Sequence, residues 1–367
     1  TAELFGALCF SANKLAYFCS MNINDFDPNG VGLRNGNFIG LPFDEENSKI
    51  ILFPVPWDVT VSYNDGTSTG PANILQESVQ LDLHDIDIDN AWQSGIYFAE
   101  MDDEILKKNN SLREKASSYI YFLEEGGKLS GDSQTRKILD EINTESAKLN
   151  DWVKAKTAHW LDQGKLVGLV GGDHSTPLGY YQALAERHAE FGVLHIDAHM
   201  DLREAYEGFE YSHASIFYNA LKIPNITKLV QAGIRDYCQA ETQLVNSQNQ
   251  RIEVYYDHYI KQAIYRGDKF SKIVKEMISN LPDKVYISFD IDGLDPKLCP
   301  NTGTPVPGGF EFSEVCFIFE QIVESGRTII GFDLVETGAA GNAWDGNVAA
   351  RVVYKLASWM AKSNGII

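Results

Sequence analysis

Eight short apolar runs, rich in valine and isoleucine and without polar alternation, constrain the fold of this chain more than any other feature. They are Ile50–Val55, Ile96–Ala99, Leu166–Val170, Val193–Ile196, Leu229–Ala232, Ile252–Tyr256, Val285–Phe289 and Ile329–Val335. A strand that is apolar on both faces must be covered on both, the situation of a parallel sheet with helices packed above and below it. Segments of helical periodicity lie between the runs: Pro177–His188, Tyr259–Asn280, Ser313–Ser325 and Gly346–Ala361. Ser313 and Glu314 read as a helix start and Gly326 as its stop. The alternation predicts an α/β fold: a doubly wound, mainly parallel, eight-stranded sheet flanked by helices.

Two segments fall outside this rhythm. Residues 1–47 precede the first strand and read as a partly helical N-terminal arm, leaving 48–367 as a single α/β domain. Residues 102–163 hold two charged helical stretches, parted by Glu124-Glu125-Gly126-Gly127 and Ser130-Gly131-Asp132. Without strands of its own, this segment is expected to be a helical excursion on one face of the sheet.

With 51 acidic against 31 basic residues the chain carries a net charge of −20. Nucleic acid and anionic membrane both select for basic patches, so neither is an expected partner. No run approaches the ~20 apolar residues that a membrane span needs. The run Ala2–Cys19 is interrupted by Glu3, Asn13 and Lys14 and has no basic leader, which argues against a secretory signal. Five scattered cysteines (Cys9, Cys19, Cys238, Cys299, Cys316) form no CxxC pair and read as reduced thiols of a cytoplasmic protein.

The unusual chemistry falls directly behind three apolar runs, where ligands of open parallel sheets collect. Gly171-Gly172-Asp173-His174-Ser175 follows the third run and Asp197-Ala198-His199-Met200-Asp201 the fourth. Asp290-Ile291-Asp292-Gly293-Leu294-Asp295-Pro296 follows the seventh. Alternate residues of extended chain point the same way, so Asp197, His199 and Asp201 can converge, as can Asp290 and Asp292. So many carboxylates in one crevice would repel and raise one another's pKa. Two divalent cations remove the conflict: Asp197, Asp201, Asp290 and Asp292 supply four negative charges, and His174 and His199 add neutral nitrogen donors. Carboxylate with imidazole suits Mn²⁺, Fe²⁺, Co²⁺, Ni²⁺ or Zn²⁺ better than Ca²⁺ or Mg²⁺.

In this order, GGDHS, DAHMD and SFDIDGLDP over residues 171–296 resemble the motifs of the ureohydrolase family, which includes arginase, agmatinase, guanidinobutyrase and formimidoylglutamase. The resemblance implies an arginase-like fold. It implies one metal on His174, Asp197, Asp201 and Asp290 and a second on Asp197, His199, Asp290 and Asp292, with Asp197 and Asp290 bridging. Mn²⁺ is the family's usual ion, and Ni²⁺ is the alternative that ligand affinity allows. It further implies attack of a metal-bridging hydroxide on a guanidino carbon, giving urea and an amine, with Asp292 holding the nucleophile. His213, in Tyr211-Ser212-His213-Ala214-Ser215, matches the family's proton-shuttling histidine, and Glu336 the carboxylate that grips the guanidinium.

The loop Leu202–His213, with its DLR…YEG…SHAS pattern including Arg203, is similar to agmatinases and points to a guanidino compound without an amino-acid head group. Departures are Thr337-Gly338-Ala339-Ala340-Gly341 after Glu336 and the long helical excursion. Tyr206, Phe209, Tyr211 and Trp344 are bulky groups expected near the mouth; if they narrow it, free guanidine replaces agmatine as the substrate. An inactive, metal-bearing regulatory partner is the reading from a different class, although every expected ligand is present. A dinucleotide enzyme would need GxGxxG after an early strand, which Asp65-Gly66-Thr67-Ser68-Thr69-Gly70-Pro71 does not supply. That stretch reads as a loop leading into a helix capped near Thr69, with Pro71 in its first turn. Family members are commonly trimers or hexamers, so the resemblance also implies a homo-oligomer.

Overall fold

The computed structural model describes residues 23–128 and 133–367. The run Ala2–Cys19, with Cys9 and Cys19, and the stretch Ser130-Gly131-Asp132 lie outside the described residues. Each of the eight apolar runs is a strand: β1 Ile50–Val55, β2 Ile96–Phe98, β3 Leu166–Gly171, β4 Phe191–Ile196, β5 Ile226–Ile234, β6 Ile252–Tyr256, β7 Lys284–Asp290 and β8 Thr328–Val335. They form one sheet in the order β2-β1-β3-β8-β7-β4-β5-β6. Every pairing in it is parallel.

Side chains alternate between two apolar clusters, one on each face. Ile50 and Leu52 of β1 join the first, and Ile51, Phe53 and Val55 the second. In β7, Val285, Ile287 and Phe289 face the first, and Tyr286 the second. The first face is covered by α7 (Asp257–Tyr265), α8 (Phe270–Ser279), α9 (Phe312–Glu324) and α10 (Ala343–Ser363), with α1 (Gly70–Ser78) beside α10. The second is covered by α2 (Asp103–Glu124), α3 (Ser133–Asp162), α4 (Leu178–Ala185) and the short α5 (Ile216–Ala220). Helix α6 (Gln239–Ser247) connects β5 to β6. With both faces buried, the strands need no polar alternation, which is the reason for the unbroken apolar runs.

The single helix expected over Tyr259–Asn280 is two. Helix α7 ends at Tyr265 with Arg266 as its cap, and Gly267 follows at φ +98°, where its N–H and that of Asp268 satisfy the carbonyls of Ile264 and Ala263. Glycine accepts this left-handed stop without steric penalty. Helix α1 begins as expected, with Thr69 at the cap and Pro71 in the first turn. Helices α5 and α6 were not foreseen; α5, with five residues, is too short for periodicity to mark.

The described part of the arm holds two 3-10 turns, Ile23–Asp25 and Phe38–Gly40. Phe38, Ile39 and Leu41 are buried in the first cluster, and the Asn37 side chain bonds across to β2 at Ile96 and Phe98. This stretch is therefore part of the core. Helices α2 and α3 pack on the second face through Leu112, Ala116, Tyr119, Ile142, Leu149 and Val153. Among the described residues no helix is long and apolar enough to cross a membrane.

Candidate metal centre and substrate cleft

Neighbouring strands β3, β8, β7 and β4 end side by side, so the segments leaving them meet at one edge. The turn after β3 is tight. Gly172 N–H bonds Val55 and Asp173 N–H bonds Trp57, and a Cβ on Gly172 would lie 2.1 Å from the Trp57 carbonyl oxygen. Only glycine lets the chain pass so close and deliver His174 to the edge.

His174 Nδ1 lies 3.0 Å from Asp197 Oδ2 and 3.2 Å from both Asp201 Oδ2 and Asp290 Oδ2. It is buried and has no hydrogen-bond partner. Three carboxylate oxygens thus crowd one imidazole nitrogen, the crowding expected of ligands around an ion. A second group adjoins it: His199 Nδ1 is 3.1 Å from Asp292 Oδ2 and 3.4 Å from Asp197 Oδ1. Asp197 belongs to both groups through its two oxygens, and Asp292 Oδ2 is likewise buried without a hydrogen bond. The donor set, carboxylates with imidazoles, fits two borderline divalent cations.

The charges give the same answer. Burial, with Asp292 and Asp197 alongside, raises the Asp290 carboxyl well above its ordinary range, and burial with Asp197 brings Asp201 to about 7. Burial opposes protonation of His174 and His199, but the surrounding carboxylates outweigh it and hold both well above the usual imidazole value. Protons here stand in for the positive charge that two cations would supply.

Outer contacts fix these donors. Ser288 Oγ lies 3.0 Å from His174 Nε2 and donates to the buried Asp333 carboxylate. Tyr181 OH reaches the same serine at 3.0 Å. His195, buried on β4, contacts Asp197 Oδ2 through Nε2 at 2.7 Å and Gln231 through Nδ1 at 2.9 Å. Burial pushes the His195 pKa down to about 4, so its ring is neutral: Nε2–H donates to Asp197 and Nδ1 accepts from Gln231. Such partners orient metal ligands and set their basicity.

A cleft of about 170 Å³ opens onto the cluster, with His199, Asp201, Asp290 and Glu336 inside and Arg203, Tyr206, His213, Asp236 and Tyr237 among its walls. Glu336 is held at φ +61° at the end of β8: its N–H donates to Gly172, its carbonyl accepts from Thr302 Oγ1, and its Oε1 accepts from His174 N–H. Its Oε2 is buried and unpartnered. Asp201 shares the left-handed backbone at φ +51°. Non-glycine residues in this region are strained, and such strain collects where side chains are aimed for function. His213 sits half-buried on a 3-10 turn capped by Ser212, its N–H 3.4 Å from Thr60 Oγ1. Burial and the positive charge on His199 and His174 hold its imidazole below the ordinary value.

The sequence model of the Arginase family matches residues 48–358. The chain belongs to the arginase family. N(1)-aminopropylagmatine ureohydrolase of Thermus thermophilus is 29% identical over 310 residues, covering 84% of this chain and 89% of that protein. An agmatinase of Bacillus anthracis is 27% identical over 292 residues, covering 79% and 84%. Among solved structures, proclavaminate amidino hydrolase from Streptomyces clavuligerus superposes with a TM-score of 0.68 at 21% identity, covering 91% of this chain and all of that one. The agmatine ureohydrolase of Thermoplasma volcanium gives 0.65 at 22% identity, covering 88% and 93%. At those identities the structures speak to the fold.

The arginase-family fold brings all six expected ligands, His174, Asp197, His199, Asp201, Asp290 and Asp292, into one cluster, and Glu336, His213 and Arg203 line the cleft above it. Trp344 is different. It is 52% exposed at the start of α10, donates its indole N–H to the Lys297 carbonyl, and is not among the residues lining the cleft. Nor does Phe209 narrow the mouth: it is fully buried, 5.2 Å from the Tyr119 ring. Of the four bulky residues Tyr206 alone lines the cleft, with the Arg203 guanidinium 4.8 Å over its ring. Cys299 is buried and its thiol pKa is raised by that burial, so it is no nucleophile.

Residues not foreseen include His195, Ser288 and Asp333. His195 extends the alternation Asp197, His199, Asp201 one step back into β4, and Ser288 and Asp333 are polar intruders in otherwise apolar strands. Both signals are visible in the sequence.

Proposed function

We propose that this arginase-family chain is an agmatinase-type hydrolase, cleaving a guanidino compound without an amino-acid head group into urea and an amine. The observation that carries the reading is Glu336 Oε2, a buried carboxylate oxygen with no partner, set in the cleft beside the His–Asp cluster. A guanidinium is the planar cation such an oxygen recognises. The names of the relatives from Thermus and Bacillus support the same class.

His174, Asp197, Asp201 and Asp290 would hold one divalent ion, and Asp197, His199, Asp290 and Asp292 the other. Two such ions supply a water-derived nucleophile at neutral pH. The chain's own residues do the rest. Glu336 orients the guanidinium, Asp292 holds the attacking group, takes up its proton and passes that proton to the leaving nitrogen, and His213, neutral at pH 7, relays protons between the cleft and solvent. We assign Mn²⁺ as the ion, with Ni²⁺ as the alternative. The net charge of −20 favours arrival of a small cation and disfavours nucleic acid. The reading carries with it a cytoplasmic homo-oligomer, trimer or hexamer, which sedimentation of the metal-loaded protein checks.

One observation favours free guanidine as a second reading. The Arg203 cation lies in the cleft wall, and a cation there opposes the distal ammonium of agmatine. Asp236 and Tyr237 at the same mouth offset this, since they offer a carboxylate and a ring face to that ammonium. The test is urea release by protein loaded separately with Mn²⁺ and Ni²⁺, against agmatine, N1-aminopropylagmatine, 4-guanidinobutyrate, arginine and guanidine, with glutamate read for formimidoylglutamate. Highest kcat/KM on agmatine or its aminopropyl derivative supports the first reading, and turnover of guanidine alone supports the second. No turnover with both ions bound would make the chain a regulatory partner.

A further inference from the structure

The helical excursion has no part in the sheet, yet its polar side chains reach the two loops that wall the cleft. One loop runs from Asp58 to Thr69 and contributes Ser62 to the lining; the other runs from Leu202 to His213 and contributes Arg203, Tyr206 and His213. On the first loop, Asn109 of α2, itself buried, makes a two-point contact with Asp58. Its Nδ2 donates to Asp58 Oδ1 at 2.9 Å, and its Oδ1 accepts from Asp58 N–H at 2.7 Å. Asp58 Oδ2 in turn accepts from Gly66 and Ser68 N–H, closing the loop on itself. Arg113, one turn along α2, donates to the Val59 and Val61 carbonyls on either side of Thr60.

On the second loop, Glu207 and Gly208 form a turn at φ +54° and +86°, with Tyr206 and Phe209 bonded to each other across it. Tyr119 OH of α2 donates to the Glu207 carbonyl at 2.6 Å. Asn143 of α3 donates to the Gly208 carbonyl at 3.1 Å and accepts from Glu210 N–H at 2.9 Å. The two loops also meet each other, through His213 N–H and Thr60 Oγ1 at 3.4 Å.

We propose that the excursion is a clamp that positions the cleft walls, and that Asn109, Tyr119 and Asn143 are positioning residues for substrate affinity and choice. None of the three lines the cleft. Tyr119 and Asn143 hold the turn carrying Tyr206, whose ring lies under Arg203, so loosening that turn frees both groups that face the substrate's tail. The inference rests on the cleft being the substrate site.

Two substitutions test it with little risk to folding. Tyr119→Phe removes a hydroxyl and keeps the ring against Phe209, and Asn143→Ala removes a half-buried amide. With three hydrogen bonds lost, the double variant should raise KM roughly tenfold or more while kcat stays within about twofold. The ratio of kcat/KM between agmatine and guanidine should shift, and metal content should not change. Hydrogen exchange at the Phe209 and Glu210 amides should become faster in the same variant. A purely structural role would lower the melting temperature and leave KM of the folded enzyme where it was. Unchanged KM, unchanged selectivity and unchanged exchange together would overturn the clamp. If the wild type turns over no guanidino compound, the substrate reading fails, and the exchange measurement alone then decides whether the loop is clamped.

Discussion

Replacing Glu336 by glutamine isolates the interaction on which the substrate reading depends. The amide oxygen can still accept from His174 N–H, as Oε1 does at 3.0 Å, so the turn at the end of β8 keeps its anchor. What changes is the second position, where the buried, unpartnered Oε2 gives way to an NH₂ group or to a neutral oxygen. A hydrogen bond to a charged partner contributes about 1.5–3 kcal/mol, which converts to roughly 10- to 150-fold in kcat/KM. Burial, Asp173 and Asp292 all raise the Glu336 pKa, so its charge opposes the folded state and its removal should not lower stability. The expected variant holds two metals per chain, melts no earlier than the wild type, and loses urea release in that range. Metal analysis, thermal melting followed by circular dichroism, and steady-state urea kinetics read the three quantities. A variant with both metals and kcat/KM within threefold of wild type would refute the role of Glu336.

Asp290→Asn removes one of the oxygens around His174 Nδ1 and should leave fewer than one tightly bound ion per chain after dialysis; two retained ions with full activity would overturn the ligand assignment. Lys355 ties α10 to the segment before β2 through Asp85 at 2.9 Å and Asp87 at 2.7 Å, and Asp85 is buried. Lys355→Met strands that carboxylate and should cost about 1–3 kcal/mol in denaturant unfolding near pH 7. Burial lowers the Lys355 pKa, but the two aspartates outweigh it and the net shift is upward from 10.5. The tie is therefore at full strength from neutral pH up to about 10.5 and fades as pH rises through the higher folded value, so the wild-type to variant difference should be flat between pH 6 and 9. Gly172→Ala puts a Cβ 2.1 Å from the Trp57 carbonyl and should destabilise by about 3 kcal/mol or more, with loss of metal binding; a soluble, metal-binding variant of wild-type stability would show that the turn is not so tight.

The strands and the ligand cluster were legible because one physical condition produces each. A sheet buried on both faces demands unbroken apolar runs, and all eight are strands, displaced by no more than three residues at an end. Carboxylates and imidazoles immediately behind such runs have nowhere to go but the sheet's edge, and His174, Asp197, His199, Asp201, Asp290 and Asp292 meet there. The break at Gly267 was hidden because apolar spacing continues across it. Trp344 follows Glu336 closely in sequence, but the chain turns into α10 and carries the indole to Lys297. The polar contacts from α2 and α3 link residues 51 to 88 positions apart, a separation no local pattern records.

Metal titration coupled to urea release joins the ligand cluster to the chemistry in one experiment. Metal-free protein is given increasing Mn²⁺, and in a parallel series Ni²⁺, while bound ion per chain and urea formed from agmatine are measured in the same samples. Activity should be absent without metal, rise with occupancy and saturate at two ions per chain. Urea release without bound metal, saturation at a single ion, or two bound ions with no urea from any guanidino compound would contradict the two-metal hydrolase reading.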